Sequence, residues 1–261
     1  MRRLTFLGIA LIGLSSIAAR ADEWSHSYPV TGKPQLVVDA NDGDVEVYVG
    51  SSQQIEARVI THGWKINDEL QVTGTQSGNR IEIKLHRPNK GCFGFCFQSI
   101  KVEVRVPRES DLDIHSGDGN IRADSVRGNL QLVTGDGNIR IQDAEGSLHA
   151  ETRDGNVNFS GRFDLVSVHT GDGNIDAEVH SSSSPQPGWS LRSGDGRVRL
   201  RLPADFAADL DAHSGDGSVK LDFPIAASSS SHENSLRGKI NGGGIPIELR
   251  TGNGDIHVEK I

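Results

Sequence analysis

The chain has 261 residues, with 35 Asp+Glu against 27 Lys+Arg and a formal net charge of −8. No basic run offers a surface that could track phosphates, which excludes nucleic acid as a natural partner. An anionic membrane would repel the chain unless divalent cations bridged the two.

The first segment reads as a secretory signal peptide, residues 1–21. Arg2 and Arg3 form the basic start, residues 4–14 the apolar run, and Ala19-Arg20-Ala21 the cleavage site, with cut after Ala21 and before Asp22. The run is shorter than the ~20 residues of a bilayer span, and no cysteine follows it to take a lipid anchor. Cleavage removes Arg2, Arg3 and Arg20, leaving 24 Lys+Arg against 35 Asp+Glu and a charge of −11. Nothing later could cross a membrane as a helix. The expected location is periplasmic or secreted, at the cell surface.

Residues 22–110 are strand-rich without a regular period. "QLVVDANDGDVEVYVG" holds one degenerate corner at Asp42-Gly43. "RIEIKLHRP" and "IKVEVRVP" alternate apolar and polar residues and flank "GCFGFCF", so they read as a β-hairpin. In an oxidising compartment Cys92 and Cys96 are expected to form a disulfide. A zinc site needs about four ligands, and no second Cys or His cluster lies nearby. Phe93, Phe95 and Phe97 either cover the core at the end of the fold, as capping elements must, or form an apolar contact site for a partner.

Residues 111–261 repeat one phrase seven times, from "SGDGNIRA" at 116 to "TGNGDIHV" at 251. Its second glycine falls at Gly119, Gly137, Gly155, Gly173, Gly196, Gly217 and Gly254, at spacings of 18, 18, 18, 23, 21 and 37. Each period carries two short alternating segments, one on either side of the glycines, and no stretch has helical periodicity. One such unit cannot bury its own apolar face, but stacked units can. The expectation is an all-β fold: a β-solenoid of ~18-residue coils, or a related stack of hairpins, with residues 22–110 as a hairpin-containing cap continuous with it in one domain. Ile121, Ile139, Val157, Ile175, Val198, Val219 and Ile256 would form one inward column. Leu112, Leu130, Leu148, Val166, Leu210 and Ile247 would form another.

The first glycine of the phrase is replaced by Arg153 in one copy, whereas the second never changes. That predicts positive φ at the second glycine. The Asp before it is expected to accept a backbone hydrogen bond in an Asx-turn. "SSSSPQPG" is a small insertion, and the Ser run of "AASSSSHENSLRGKINGGG" reads as a flexible loop; loops leaving one side of such a stack are either binding elements or surface slack.

The recurring [ST]-G-D-G-N-[IV] corner resembles the bacterial domain-of-unknown-function 4097 family of candidate adhesins, and "GKINGGGIPIELRTGNGDIHV" is similar to that family's C-terminal stretch. The resemblance spans roughly residues 30 to 261. It implies a β-helical, exported, non-catalytic protein without an assigned ligand, and it supplies no catalytic residues and no cofactor. The "GCFGFC" loop and the serine insertions are not part of that pattern.

The residues of the phrase suggest four chemistries. "HSGD" places His115, Ser116 and Asp118 together, and His213, Ser214 and Asp216 repeat it. Adjacent strand residues face opposite sides, so neither set makes a triad. His115, His169 and His213 share an outward position but would stand about 14 and 10 Å apart at ~4.8 Å per coil, too far for one metal ion. Asp118, Asp136, Asp154, Asp172, Asp195 and Asp216 would stack in a column. Carboxylates ~5 Å apart repel by about 0.8 kcal/mol in water and about 3 kcal/mol at an effective dielectric of 20. Solvated turns are the first reading of that column, and weak calcium sites the second. A carbohydrate-active β-helix enzyme, a glycosidase or lyase using Asp residues on adjacent coils, is the alternative. The favoured function is an exported, non-enzymatic binding or scaffold protein of the cell envelope, whose partner is an envelope protein or a glycan.

Overall fold

The computed structural model describes residues 21–87, 98–180, 188–224 and 230–261. Cys92, Cys96, Phe93, Phe95, Phe97 and the signal segment before Ala21 lie outside them. The described residues are all β, without a helix.

The N-terminal region contributes β1 (Ala21–Pro29), β2 (Gln35–Asp39), β3 (Asp44–Val49), β4 (Gln54–His62), β5 (Gln71–Ser77), β6 (Arg80–His86) and β7 (Ser99–Val106). The repeat begins with β8 (Asp111–His115), β9 (Ile121–Asp124) and β10 (Arg127–Val133). Two long strands follow, β11 (Ile139–Thr152) and β12 (Val157–Thr170). Next come β13 (Ile175–Val179), β14 (Trp189–Ser193), β15 (Val198–Leu202), β16 (Ala208–Ser214) and β17 (Val219–Leu221). The chain ends with β18 (Ser230–His232), β19 (Ser235–Ile240), β20 (Ile245–Thr251) and β21 (Ile256–Lys260).

All 21 strands belong to one sheet, folded over on itself into a nearly closed, barrel-like layer pair. One ladder holds the strands that precede each glycine corner: β6, β2, β8, β10, the ends of β11 and β12, β14, β20 and β16, all parallel. The second holds the strands that follow the corners: β7, β3, β9, the starts of β11 and β12, β13, β15, β21 and β17, also parallel. β11 and β12 bend from the second ladder into the first. Gly146 sits at that bend with φ of 119°, a conformation that glycine adopts without steric penalty.

The 18-residue spacing sets the register. Ile121 pairs with Ile139, Ile139 with Val157, and Val157 with Ile175. These side chains are buried between the ladders in one continuous apolar cluster, where each full burial contributes roughly 1.5–3 kcal/mol. The columns differ from the expected ones in order. Ile256 pairs with both Val198 and Val219, and Ile247 with both Trp189 and Leu210. The seventh copy therefore stacks between the fifth and the sixth. The 37-residue gap allows it: β19 folds back antiparallel on β16 and covers its free edge, and the chain then returns as β20 between β14 and β16. Trp189 fills the position between Val166 and Ile247 in the inward column, fully buried, with its ring 5.4 Å from Phe206.

The expected hairpin around the cysteines is corrected. β6 lies in the first ladder and β7 in the second, and each pairs elsewhere, β6 with β2 and β5, β7 with β3 and β4. Both segments alternate because each buries one face, which does not identify its partner. The hairpin here is β5–β6, antiparallel across Gly78. Antiparallel strands close this end of both ladders, β5 on β6 and β4–β1 on β7. Trp24 and Tyr28 of β1 reach across to Gly74 of β5, so aromatic side chains cover the core where the two edges meet.

Candidate functional site: the corner stack and the polar trough

The corners set the rung spacing. The Ser or Thr that opens each phrase points inward. Thr152, 1% exposed, donates to Gly137 O at 2.9 Å in the neighbouring corner and accepts from its own Gly155 N–H at 3.2 Å. Thr134, Thr170, Ser193, Ser214 and Thr251 make the same bond to the neighbouring glycine carbonyl, each at 2.8 Å. Ser116 does so at 2.9 Å to Gly43 O, which makes Asp42-Gly43 a further corner of the stack.

Two expectations about the phrase are thereby corrected. The hydrogen-bonding residue of the corner is the Ser/Thr, not the Asp. The second glycine is required by close approach rather than by positive φ, since none of the seven second glycines is among the residues with φ above zero. A Cβ on Gly119, Gly137, Gly155, Gly173, Gly196, Gly217 or Gly254 would come within 3.0 Å of the carbonyl oxygen of the adjacent corner's glycine.

The Asp row is exposed at the outer tip of the corners. Arg153 bonds Asp136 and lies 3.8 Å from Asp154. Arg87 pairs with Asp42 at 3.3 Å at one end. Asn253, carried in by the inserted seventh copy, stands between Asp195 and Asp216 and donates to Asp195. A cation and a neutral amide thus interrupt the row. Among the described residues no group of three or more His, Cys, Asp or Glu is placed to hold a metal ion. On this basis Asp136→Asn should leave the melting temperature unchanged, and EDTA should not lower it. A calcium-dependent melt that Asp136→Asn abolishes would make the row a metal site.

The remaining sequence candidates disperse. Ser116 and Ser214 are engaged in their corners, and His115 turns instead to Asp113 at 2.9 Å. His115, His169 and His213 do share one outward row. Arg192 and Arg250 stand between the last two, so both separations are three rungs, or ~14 Å.

The residue after each second glycine builds a second row. Asn138 donates from its backbone N and from Nδ2 to Asn120 Oδ1, at 3.0 and 3.1 Å. Asn156 does the same to Asn138, and Asn174 to Asn156. Asp44 accepts at one end, and Arg197 donates its backbone N at the other. Each Nδ2 spends one hydrogen in the row and keeps the other. This row borders a trough of about 740 Å³ on the outer face of the second ladder. Its three carboxylates are committed. Asp44 holds Asn120. Asp176 holds Arg201 and lies 3.7 Å from Arg199. Partial burial raises the Glu46 pKa, but hydrogen bonds from Tyr48 at 2.6 Å and Lys101 at 2.9 Å outweigh this and hold it below the usual carboxylate value. A second hollow of about 710 Å³ continues the same face and shares Glu46. Its charges neutralise one another, Arg58 with Glu103 and Lys101 with Glu46 and Glu103.

A folded-over all-β sheet, with repeat corners along one side and a polar concave outer face, defines a repeat-built all-β protein. Its family is Toastrack DUF4097, whose model matches residues 34–184 and 166–259, and the chain belongs to it. Among solved structures it is similar to a candidate adhesin from Bacteroides fragilis, at 14% identity and a TM-score of 0.47, over 94% of this chain and 100% of that one. A candidate adhesin from Parabacteroides distasonis shares 13% identity at a TM-score of 0.48, over 92% of this chain and 98% of that one. A candidate lipid-binding protein from the same species shares 14% at 0.45, over 92% and 97%. Comparison with proteins of curated function finds no match.

Proposed function

We propose that the protein is an exported, non-enzymatic binding or scaffold protein of the cell envelope, a β-solenoid of ~18-residue coils that presents the concave face of its second ladder to a polar ligand. The observation that carries this reading is the state of the trough carboxylates. A glycosidase or lyase needs an acid and a base free to exchange protons with substrate, and Asp44, Glu46 and Asp176 are each tied to a donor or a cation. Large exposed apolar side chains are confined to Val49 and Ile261 among the described residues, which favours a polar partner over an apolar one. The signal segment supports export, and export supports a Cys92–Cys96 disulfide.

The test is to immobilise the chain beginning at Asp22 and pass envelope extract over it. A retained, chemically unchanged glycan or protein is the expected result. Release of new reducing ends or unsaturated sugars would make the protein an enzyme. In the same preparation the protein should start at Asp22 and be lighter than the dithiol form by the two thiol hydrogens of Cys92 and Cys96. Alkylation of both cysteines without reductant would rule the bridge out.

A further inference from the structure

We infer that the trough on the second ladder takes an acidic polysaccharide, with Arg140 as its carboxylate or sulfate anchor. The inference rests on the binding reading above and narrows it to a ligand class.

Arg122 and Arg140 lie directly opposite each other on adjacent rungs. Arg122 is held by Asp124 at 2.8 Å and reaches Gln142 at 2.8 Å. Arg199 lies 3.0 Å from Glu259. Arg140 is exposed and makes no ion pair within 4.0 Å among the described residues, and the same is true of Arg197. Both line the trough. A protein with an excess of carboxylates elsewhere thus keeps Arg140 without a carboxylate partner in this concave polar surface, directly opposite another cation, whereas Arg197 lies in the field of Asp255 on the next rung. A bound anion relieves that repulsion, and a guanidinium holds a carboxylate or sulfate through two parallel hydrogen bonds.

What surrounds Arg140 selects the rest of the ligand. Apart from Arg122, its neighbours across the rungs and along the strand are amides, Asn138, Asn156, Asn158 and Gln142. The Asn row presents a file of spare N–H donors at the rung spacing of ~4.8 Å. Amides suit hydroxyl groups, which both donate and accept. The trough runs over five rung intervals from Asp44 to Arg197, ~24 Å, with Arg140 and Arg197 three rungs or ~14 Å apart along the ladder and offset by two residues along the strands. An extended, hydroxyl-rich chain bearing anions at intervals matches this layout. Stacking is not the mode of recognition here. Trp189 and Trp64 are buried and Trp24 packs against the core, so none stands in the trough.

The test titrates the protein with oligogalacturonate, sulfated dextran and neutral dextran of matched length, by calorimetry at fixed salt. Binding of an acidic chain, with neutral dextran inert, is expected. Arg140→Gln should weaken it at least about tenfold, the loss of one charge-assisted pair. Arg197→Gln should weaken it by a smaller factor. Arg192→Gln, on the opposite ladder, should not change it. Arg140 is exposed, so its variant should fold, and an unchanged melt will show that it does. Failure to bind either acidic chain, or binding that ignores Arg140→Gln, would overturn the assignment. An envelope ligand still retained by Arg140→Gln would overturn it while leaving the broader binding reading in place. Shortened chains released from the probes would overturn both.

Discussion

Gly155→Ala is expected to destabilise the protein by about 3 kcal/mol, at the upper end of what overpacking costs. That corresponds to a fall in melting temperature of about 6–12 °C for a chain of this size. The added Cβ would meet Gly137 O and Gly137 C of the adjacent corner as well as Thr152 Oγ1. Two of those three atoms are backbone. The Gly137 carbonyl is fixed by its bond from Thr152, so it cannot yield as a flexible side chain would. Relief requires the two rungs to part, which stretches the ladder bonds on both sides of the corner. Gly78→Ala is the matched control. Gly78 has φ of 60° and nothing within 4 Å of a Cβ, so only backbone strain applies, about 1 kcal/mol. Arg153→Gly should be close to neutral, because Arg153 already shows that the first position of the phrase accepts a side chain. Thermal melts of the three variants decide the matter. A Gly155→Ala loss no larger than that of Gly78→Ala would mean that close approach is not what fixes the second glycine.

That glycine shows how far the sequence could be read. Its recurrence in all seven copies is visible, and so is the corner. The cause is not visible, because a glycine needed for its dihedral and one needed for its missing Cβ are written identically. The discriminating signal was present two residues earlier than the Asp. Ser116, Thr134, Thr152, Thr170, Ser193, Ser214 and Thr251 always supply a hydroxyl three residues before the second glycine. A hydroxyl kept at a position that alternation places inside is a buried polar group in need of partners.

Periodicity also predicted which residues face inward, and the columns through Ile121 and Leu112 follow it. It could not predict the order of the last three rungs. A 37-residue gap states how much chain is available, not where the chain returns. The inversion in turn decides which charges meet. Asn253 falls between Asp195 and Asp216 only because the seventh copy of the phrase is inserted there. The trough was illegible for the same reason. Arg122, Arg140, Arg197 and Arg199 look alike along the chain, and only rung order and cross-strand neighbours separate Arg140 from the guanidiniums that carboxylates compensate.

Thr152→Val carries the second large effect. The two side chains have nearly the same shape, so the substitution removes a hydroxyl and opens no cavity. Thr152 is buried, and its Oγ1 is the hydrogen-bond partner of Gly137 O and of Gly155 N–H. Valine leaves one acceptor and one donor unpaired between rungs that are too close for water to enter. Each such group costs about 1–3 kcal/mol, so a loss of about 2–4 kcal/mol is expected. Thr152→Ser separates hydrogen bonding from packing. Serine keeps the hydroxyl, loses one methyl, and is the residue used at the equivalent Ser193 and Ser214, so its cost should stay near 1 kcal/mol. The consequence reaches the trough, because Gly155 is followed directly by Asn156, whose backbone N and Nδ2 both bond Asn138. A rung loosened at its corner lets go of the Asn row. Amide hydrogen exchange at Asn156 should therefore accelerate in Thr152→Val and not in Thr152→Ser. Equal melting temperatures for the valine and serine variants would show that the ladders hold the rungs without the corner hydroxyls.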